Sequence, residues 1–315
     1  MNPFSRILVA VDFSKPACDA FDQALALSER HGAELVALQA VPADQPVSWH
    51  ARARITLSAR LRQKAQRAHV AFTERVQRGD PAEIILLHAR SLNPDAIVIG
   101  THQRRGFDRL RHGSVAERVA AQATVPVLLV PHRHGRAIRA FRHAAVAIDF
   151  GSGTEQALEQ ASLAAGPAGT ITLIHVVPRS ASAVPEHLYG YGITASDEPV
   201  VHDAERRLQA LAARMKRRTS GAVLTRVLIG DPSTEIKTVV DATDVDVLVV
   251  GVSTRGLVSR ALFGTTGARL LRANRVPLLA VPASSAAVIA PDATRVAGVP
   301  LPVADDEKPL LPLAA

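Results

Sequence analysis

Two stretches of this 315-residue chain set glycines and a hydroxyl at a spacing that suits an anion. In the first, Gly100 closes an apolar run and Gly113-Ser114 opens a helix-like segment; in the second, Gly251 is followed at the same distance by Gly264-Thr265. Glycine behind a strand lets backbone approach a bulky anion. A helix start adds unpaired N–H donors and the positive end of a dipole, and Ser or Thr adds a hydroxyl. Together these parts describe a phosphate cradle. Asp12 and Asp149 close other apolar runs, and Val41 and Val177 each stand before a proline. In an open parallel sheet all of these converge on the carboxyl ends of the strands, where ligands sit. Each part also has a plainer reading: Gly100 as a strand end, Ser114 as the cap of its own helix, and Asp12 as a cap of the first helix.

Other chemistry finds little support. The patterns of a P-loop, a dinucleotide fingerprint, a zinc protease and a nucleophile elbow are all missing. The 12 histidines are scattered, with His132 and His134 between the two halves, so no metal site is expected. No pair of carboxylates stands beside a base. Asp244 and Asp246 precede an apolar run and read as a turn leading into a strand. The single cysteine, Cys18, excludes an internal disulfide, and its place on an amphipathic segment reads as a buried, inert thiol.

The net charge is +8, with clusters over residues 52–67 and 104–111 interrupted by apolar positions at helical spacing. That fits anionic phosphates, nucleic acid or plain solvated helix faces. Aromatics make up only 3% and do not interleave with the arginines, which argues against a single-strand nucleic-acid partner. The longest apolar runs have strand length, far short of the roughly 20 residues that span a bilayer. The first apolar run is too short for a signal-peptide core. A cytoplasmic protein with no membrane partner is therefore expected.

The elements that must position these residues occur twice. RILVAVDFS before residue 15 returns as AAVAIDFGS, and PDAIVIG to VPVLLVP returns as VDVLVVG to VPLLAVP. Asp12 and Asp149 are 137 apart, whereas Gly79 and Gly230, Gly100 and Gly251, and Gly113 and Gly264 are all 151 apart. Two copies of one domain follow, with the difference absorbed by a loop. The boundaries read as 1–133, a linker over 134–142, 143–282, and a disordered tail over 283–315. Within the first copy the spacing predicts strands over 7–11, 34–41, 76–79, 96–100 and 125–130. Helices are predicted over 15–31, 52–75, from 81, and over 114–123, where Ser114 and Glu117 form a capping box. The second copy repeats this order, and its extra residues over 179–201 read as a loop or lid. Alternating strands and helices with apolar central strands predict an α/β fold of parallel sheets covered on both faces.

These residues carry a resemblance. Both halves resemble universal stress protein (UspA-type) domains, whose phosphate loop follows G-x2-G-x9-G-[ST]. Gly100, Gly113 and Ser114 match it in the first copy, and Gly251, Gly264 and Thr265 in the second, but Gln103 and Thr254 replace the middle glycine. The Gly-Asp-Pro segments at Gly79 and Gly230 and the V-P-V/L-L closing runs match as well. The resemblance implies two tandem Rossmann-like domains, each with a parallel five-stranded sheet of order 3-2-1-4-5. It implies ATP as ligand, with Mg, and a stress-response sensor or interaction module with at most slow hydrolysis. Asp12 and Asp149 would lie near adenine or ribose, and Val41 and Val177 would offer backbone groups to adenine. Gly100, Gly113, Ser114 and Val115 would hold phosphates, as would Gly251, Gly264, Thr265 and Thr266. It also implies pairing of the two closing strands within the chain, and leaves a homodimer open. A Cβ at Gln103 or Thr254 points to the alternative, a signalling or structural module that does not retain nucleotide. Arginines 104, 105, 109 and 111 favour the first loop; the bulk of Gln103 favours the second.

Overall fold

The computed structural model describes residues 4–12, 14–42, 51–101, 115–132, 138–178, 198–252, 267, 269–270 and 275–283. In the first copy the elements run β1 (Arg6–Ala10), α1 (Lys15–His31), β2 (Glu34–Val41), α2 (Ala51–Arg67), β3 (Phe72–Arg78), α3 (Pro81–Leu92), β4 (Ala96–Thr101), α4 (Val115–Gln122) and β5 (Val127–Pro131). The second copy follows with β6 (His143–Ala147), α5 (Thr154–Ala165), β7 (Thr170–Val177), α6 (Glu198–Lys216), β8 (Val223–Ile229), α7 (Pro232–Ala242), β9 (Val247–Val252) and β10 (Leu278–Pro282).

The strands form one sheet in the order β3-β2-β1-β4-β5-β10-β9-β6-β7-β8. Each half is parallel and reads 3-2-1-4-5 from its outer edge to the centre. The halves meet where β5 and β10 pair antiparallel, with Leu129 opposite Leu278, Leu128 opposite Leu279 and Val127 opposite Ala280. Two apolar edges that would otherwise template aggregation are thereby closed. Helices cover both faces, which is why residues 96–99 of β4 and 247–250 of β9 are all apolar. Phe21, Leu61, Leu158 and Leu208 pack under α1, α2, α5 and α6. Ile85, Val119 and Ile236 pack on the opposite face under α3, α4 and α7.

Local chemistry fixes the ends of these elements. The Ser14 hydroxyl accepts from Ala17 N at 3.2 Å to cap α1, and Gly32 ends that helix at φ 67°. Asp80 caps α3 and Asp231 caps α7, each followed by proline in the first turn. Asp95 Oδ2 accepts from Ser5 N at 2.6 Å and Arg6 N at 2.9 Å, stapling the start of β1 to that of β4. Asp246 Oδ2 does the same for β6, accepting from Arg142 N at 2.8 Å and His143 N at 3.0 Å. Across the junction, Arg30 Nη1 donates to Phe141 O at 2.7 Å and to Ala164 O at 2.8 Å, tying α1 to the second copy.

One boundary differs from the periodicity. The helix expected over 52–75 ends at Arg67, and the strand expected over 76–79 begins at Phe72. His69 takes the left-handed conformation at φ 52°, and Val70 N closes the turn on Ala65 O at 3.0 Å. Phe72–Arg78 then pair with Leu35–Val41, because an edge strand with one buried face tolerates a charged sequence. The loop expected over 179–201 contributes its last four residues to α6; residues 179–197 lie outside the described residues, as do residue 133, 134–137 of the linker and 284–315 of the tail.

Candidate functional site

In each half β1-type and β4-type strands lie side by side although the chain makes two excursions between them, so the strand order reverses there. Asp12 stands exposed at this point, its Oδ1 accepting from Ser14 N at 2.7 Å. Asp149 is exposed at the equivalent point, its Oδ1 accepting from Gly151 N at 2.8 Å. Both are Asx turns, in which the carboxylate shapes its own backbone. The plain reading of Asp12 as a helix cap goes instead to Ser14.

Val41 and Val177 are buried. Their carbonyls accept from Gly79 N at 2.9 Å and Gly230 N at 3.0 Å, and so turn toward the outer strand of each half rather than toward Asp12 or Asp149. Gly79 and Gly230 hold φ 143° and 153°, which a side chain would strain.

The two strand glycines differ. A Cβ on Gly100 would lie 2.4 Å from the backbone carbon and oxygen of Pro16, so the first turn of α1 already fills that space. A Cβ on Gly251 would lie 3.5 Å from Gly153 O, an ordinary contact, and Gly251 is exposed. Gly153 stands at the α5 N-cap with no side-chain capping bond, whereas α1 has Ser14. Val115 begins α4. Gly113, Ser114, Gly264, Thr265 and Thr266 lie outside the described residues, with Gln103 and Thr254.

Beside Asp149 a cluster appears that the sequence did not single out. Phe150 holds φ 58°, its ring centroid 4.6 Å from that of His175 and 4.0 Å from the Arg207 guanidinium carbon. The His175 ring is held by Nδ1 against Ile148 O at 2.8 Å. In the first copy Gln39 replaces His175, and a cavity of about 940 Å³ is lined there by Gln39, Arg60, Glu74 and Val76 among others. Arg60 precedes buried Leu61 as Arg207 precedes buried Leu208.

A second unforeseen feature joins α3 to α4. Asp80 Oδ1 accepts from Glu83 N at 3.0 Å, while Oδ2 meets Arg118 Nη1 at 2.9 Å. Asp231 repeats this, with Oδ1 accepting from Thr234 N at 3.0 Å and Oδ2 from Arg269 Nη1 at 3.3 Å. The Arg118 hydrogen bond leads in holding the Asp80 carboxyl below its usual range; for Asp231 the Ser233 hydroxyl leads. The signal was present in the sequence, since both residues recur at the 151-residue offset.

Charge is unequal between the copies: residues 1–142 carry 21 Lys and Arg against 12 Asp and Glu, residues 143–282 carry 14 against 13. Among the described residues no cluster of His, Cys, Asp and Glu suits a metal ion, and no helix is long and apolar enough to cross a membrane. Cys18 is half-buried in α1, and burial is the main cause raising its thiol pKa.

A family model of the universal stress proteins matches residues 3–131 and again residues 140–282. The chain belongs to the universal stress protein family. A universal stress protein of Methanocaldococcus jannaschii is 30% identical over 141 residues, 41% of this chain and 83% of that one. The stress response protein NhaX of Bacillus subtilis is 42% identical over 52 residues. The match covers 16% of this chain and 31% of NhaX, so the chain spans about a third of that relative. A universal stress protein structure from Archaeoglobus fulgidus superposes with a TM-score of 0.69 at 19% identity, covering 90% of this chain and 98% of that one, a likeness of fold. Tandem universal-stress-protein repeats on a Rossmann-like α/β frame are thus established for this chain.

Proposed function

We propose that this chain is an adenine-nucleotide-binding stress-response protein, a sensor or interaction module in the cytoplasm, and that the second-copy cleft is its principal nucleotide site. Gly251 carries the reading. A glycine inside a strand weakens it unless something must approach closely. Packing against α1 accounts for Gly100; among the described residues no atom makes the same demand at Gly251. Gly251 stands beside exposed Asp149, whose carboxylate suits ribose hydroxyls, and beside the α5 start, whose cap lacks a side-chain acceptor. Thr265, Thr266 and Gly264 would complete the phosphate cradle, as Gly113, Ser114 and Val115 would in the first copy. Mg would accompany the triphosphate and offset its charge. With the Val177 carbonyl bound by Gly230, base contacts fall to the remaining backbone groups of that edge.

The second reading, a module that does not retain nucleotide, is favoured by Gln103 and Thr254 in place of the loop glycine. The two separate cleanly. Mass spectrometry of gently purified, then denatured, protein is expected to release adenine nucleotide. Calorimetry with Mg-ATP is expected to give one tight equivalent per chain, abolished by Gly251→Val. No released nucleotide, and no heat at millimolar Mg-ATP, would overturn the proposal in favour of the second reading.

A further inference from the structure

Pairing of β5 with β10 consumes two apolar edges, so among the described residues the sheet ends at β3 and β8. These outer edges are unlike. Leu35 N donates to Ala71 O and Gly79 N to Val41 O, so the odd-numbered residues of β3 turn their backbone groups to β2. By alternation Glu74, Val76 and Arg78 turn theirs outward, with their side chains on the α2 face. Val76 is 50% exposed there, and it lines the groove of about 940 Å³ together with Ile55 of α2, itself 70% exposed. Open backbone and exposed apolar surface therefore coincide along β3. At the matching place in β8, Val227 packs against the core. Leu224 of β8 is 48% exposed, but the same alternation turns its backbone groups to β7.

We propose that a second copy of this chain occupies the β3 edge, strand against strand, antiparallel about a two-fold axis at Val76. The charge pattern of the strand selects this pairing. About that axis Glu74 of each copy stands opposite Arg78 of the other, Val76 opposite Val76, and Arg75 opposite Gln77. Unlike charges then flank an apolar centre on both sides. Moving the axis to Arg75 sets Arg75 against Arg75 and leaves Glu74 opposite Val76. Register is held where one pairing satisfies the side chains and its neighbours do not. The outward residues of β8 are Val223, Thr225, Val227 and Ile229, which carry no charge to fix a register. Glu74 is also held ready. It accepts from the Ser58 hydroxyl and lies 4.0 Å from Arg62, which keeps its carboxylate on the face where the other Arg78 arrives. The contact is isologous, so it closes at two copies.

Sedimentation of the full chain over a concentration series is expected to show a reversible monomer–dimer equilibrium. Arg78→Glu sets like charges opposite on both sides of the axis and is expected to weaken the dimer about tenfold or more. Glu74→Arg combined with Arg78→Glu recreates the unlike pairs and is expected to recover wild-type association. Thr225→Glu, on the edge of β8, is expected to leave the dimer unchanged. The register has its own readout. Outward residues directly opposite lie about 5.5 Å apart at Cα, within reach of a disulfide, so Val76→Cys in a Cys18→Ser background is expected to oxidise to a crosslinked dimer. A wild-type chain that stays monomeric at every concentration overturns the proposal. So does a dimer that Arg78→Glu leaves intact, or a Val76→Cys dimer that does not crosslink. A double variant as weak as Arg78→Glu, with its Tm unchanged, overturns it as well.

Discussion

The two copies share a frame and differ in their clefts. What they hold in common fixes backbone: Gly79 and Gly230 at the strand ends, Asp95 and Asp246 at the strand starts, Asp80–Arg118 and Asp231–Arg269 between helices. What they vary lies around the reversal of strand order. In the first copy α1 closes over Gly100; in the second no described atom crowds Gly251, and Arg207 lies over Phe150, the residue after Asp149. The sharpest way to break this comparison is a matched pair. Gly100→Ala places a methyl against immovable Pro16 backbone and should cost about 3 kcal/mol, the upper end for overpacking. Gly251→Ala meets ordinary contacts and should stay within about 0.5 kcal/mol. Urea unfolding of the two full-length variants measures this, and equal losses would remove the distinction between the clefts.

Acid sensitivity separates the copies next. His31 in α1 is buried, with its Nε2 unpartnered and its ring edge-on to Phe4 at 4.7 Å. Burial first, then the Arg30 charge, lowers its pKa. His88 is lowered likewise, by burial and then Arg75. Both groups lie in the first copy. The unfolded chain takes up these protons near pH 6.5 while the folded chain does not, so U binds more protons and stability falls as pH drops below about 6.5. The loss from each histidine ceases once pH passes below its folded pKa. His31→Leu should flatten the slope by up to about 1.4 kcal/mol per pH unit in that window. Chemical denaturation between pH 7.5 and 5.5 reads the slope, and an unaltered slope would show that His31 is protonated in the folded state.

Much of this was legible in the chain. The centre of a parallel strand buried on both faces must be apolar, so β1, β4, β6 and β9 announced themselves, and a constant offset exposed the duplication. The edge strand β3 was expected only from residue 76, because FTERVQR has only one face to bury and continues the basic rhythm of α2. The resemblance has Val41 offer backbone groups to adenine; that its carbonyl accepts from Gly79 N follows from ladder phase, which the sequence pattern does not carry. Asp80–Arg118 joins residues 38 apart, a link that pattern cannot see until both copies are set side by side. Glycines were read as one kind of signal; Gly100 and Gly251 show that the same residue can answer to a helix or to open space.

The smallest predicted effect is the most discriminating. Arg207 lies over Phe150, and an exposed cation on an aromatic face is worth about 0.5 kcal/mol. Phe150 is a bulky residue at positive φ, a conformation that persists only when its surroundings hold it. Arg207→Ala should therefore lower stability by about 0.5 kcal/mol through the Asp149 turn. Arg60→Ala at the matching position should have no measurable effect, since Arg60 lines a cavity. Repeated denaturation series on both variants can resolve the difference. If Arg60→Ala costs as much as Arg207→Ala, the clamp is not peculiar to the second copy, and the first-copy cavity is stabilised by the same side chain in another way.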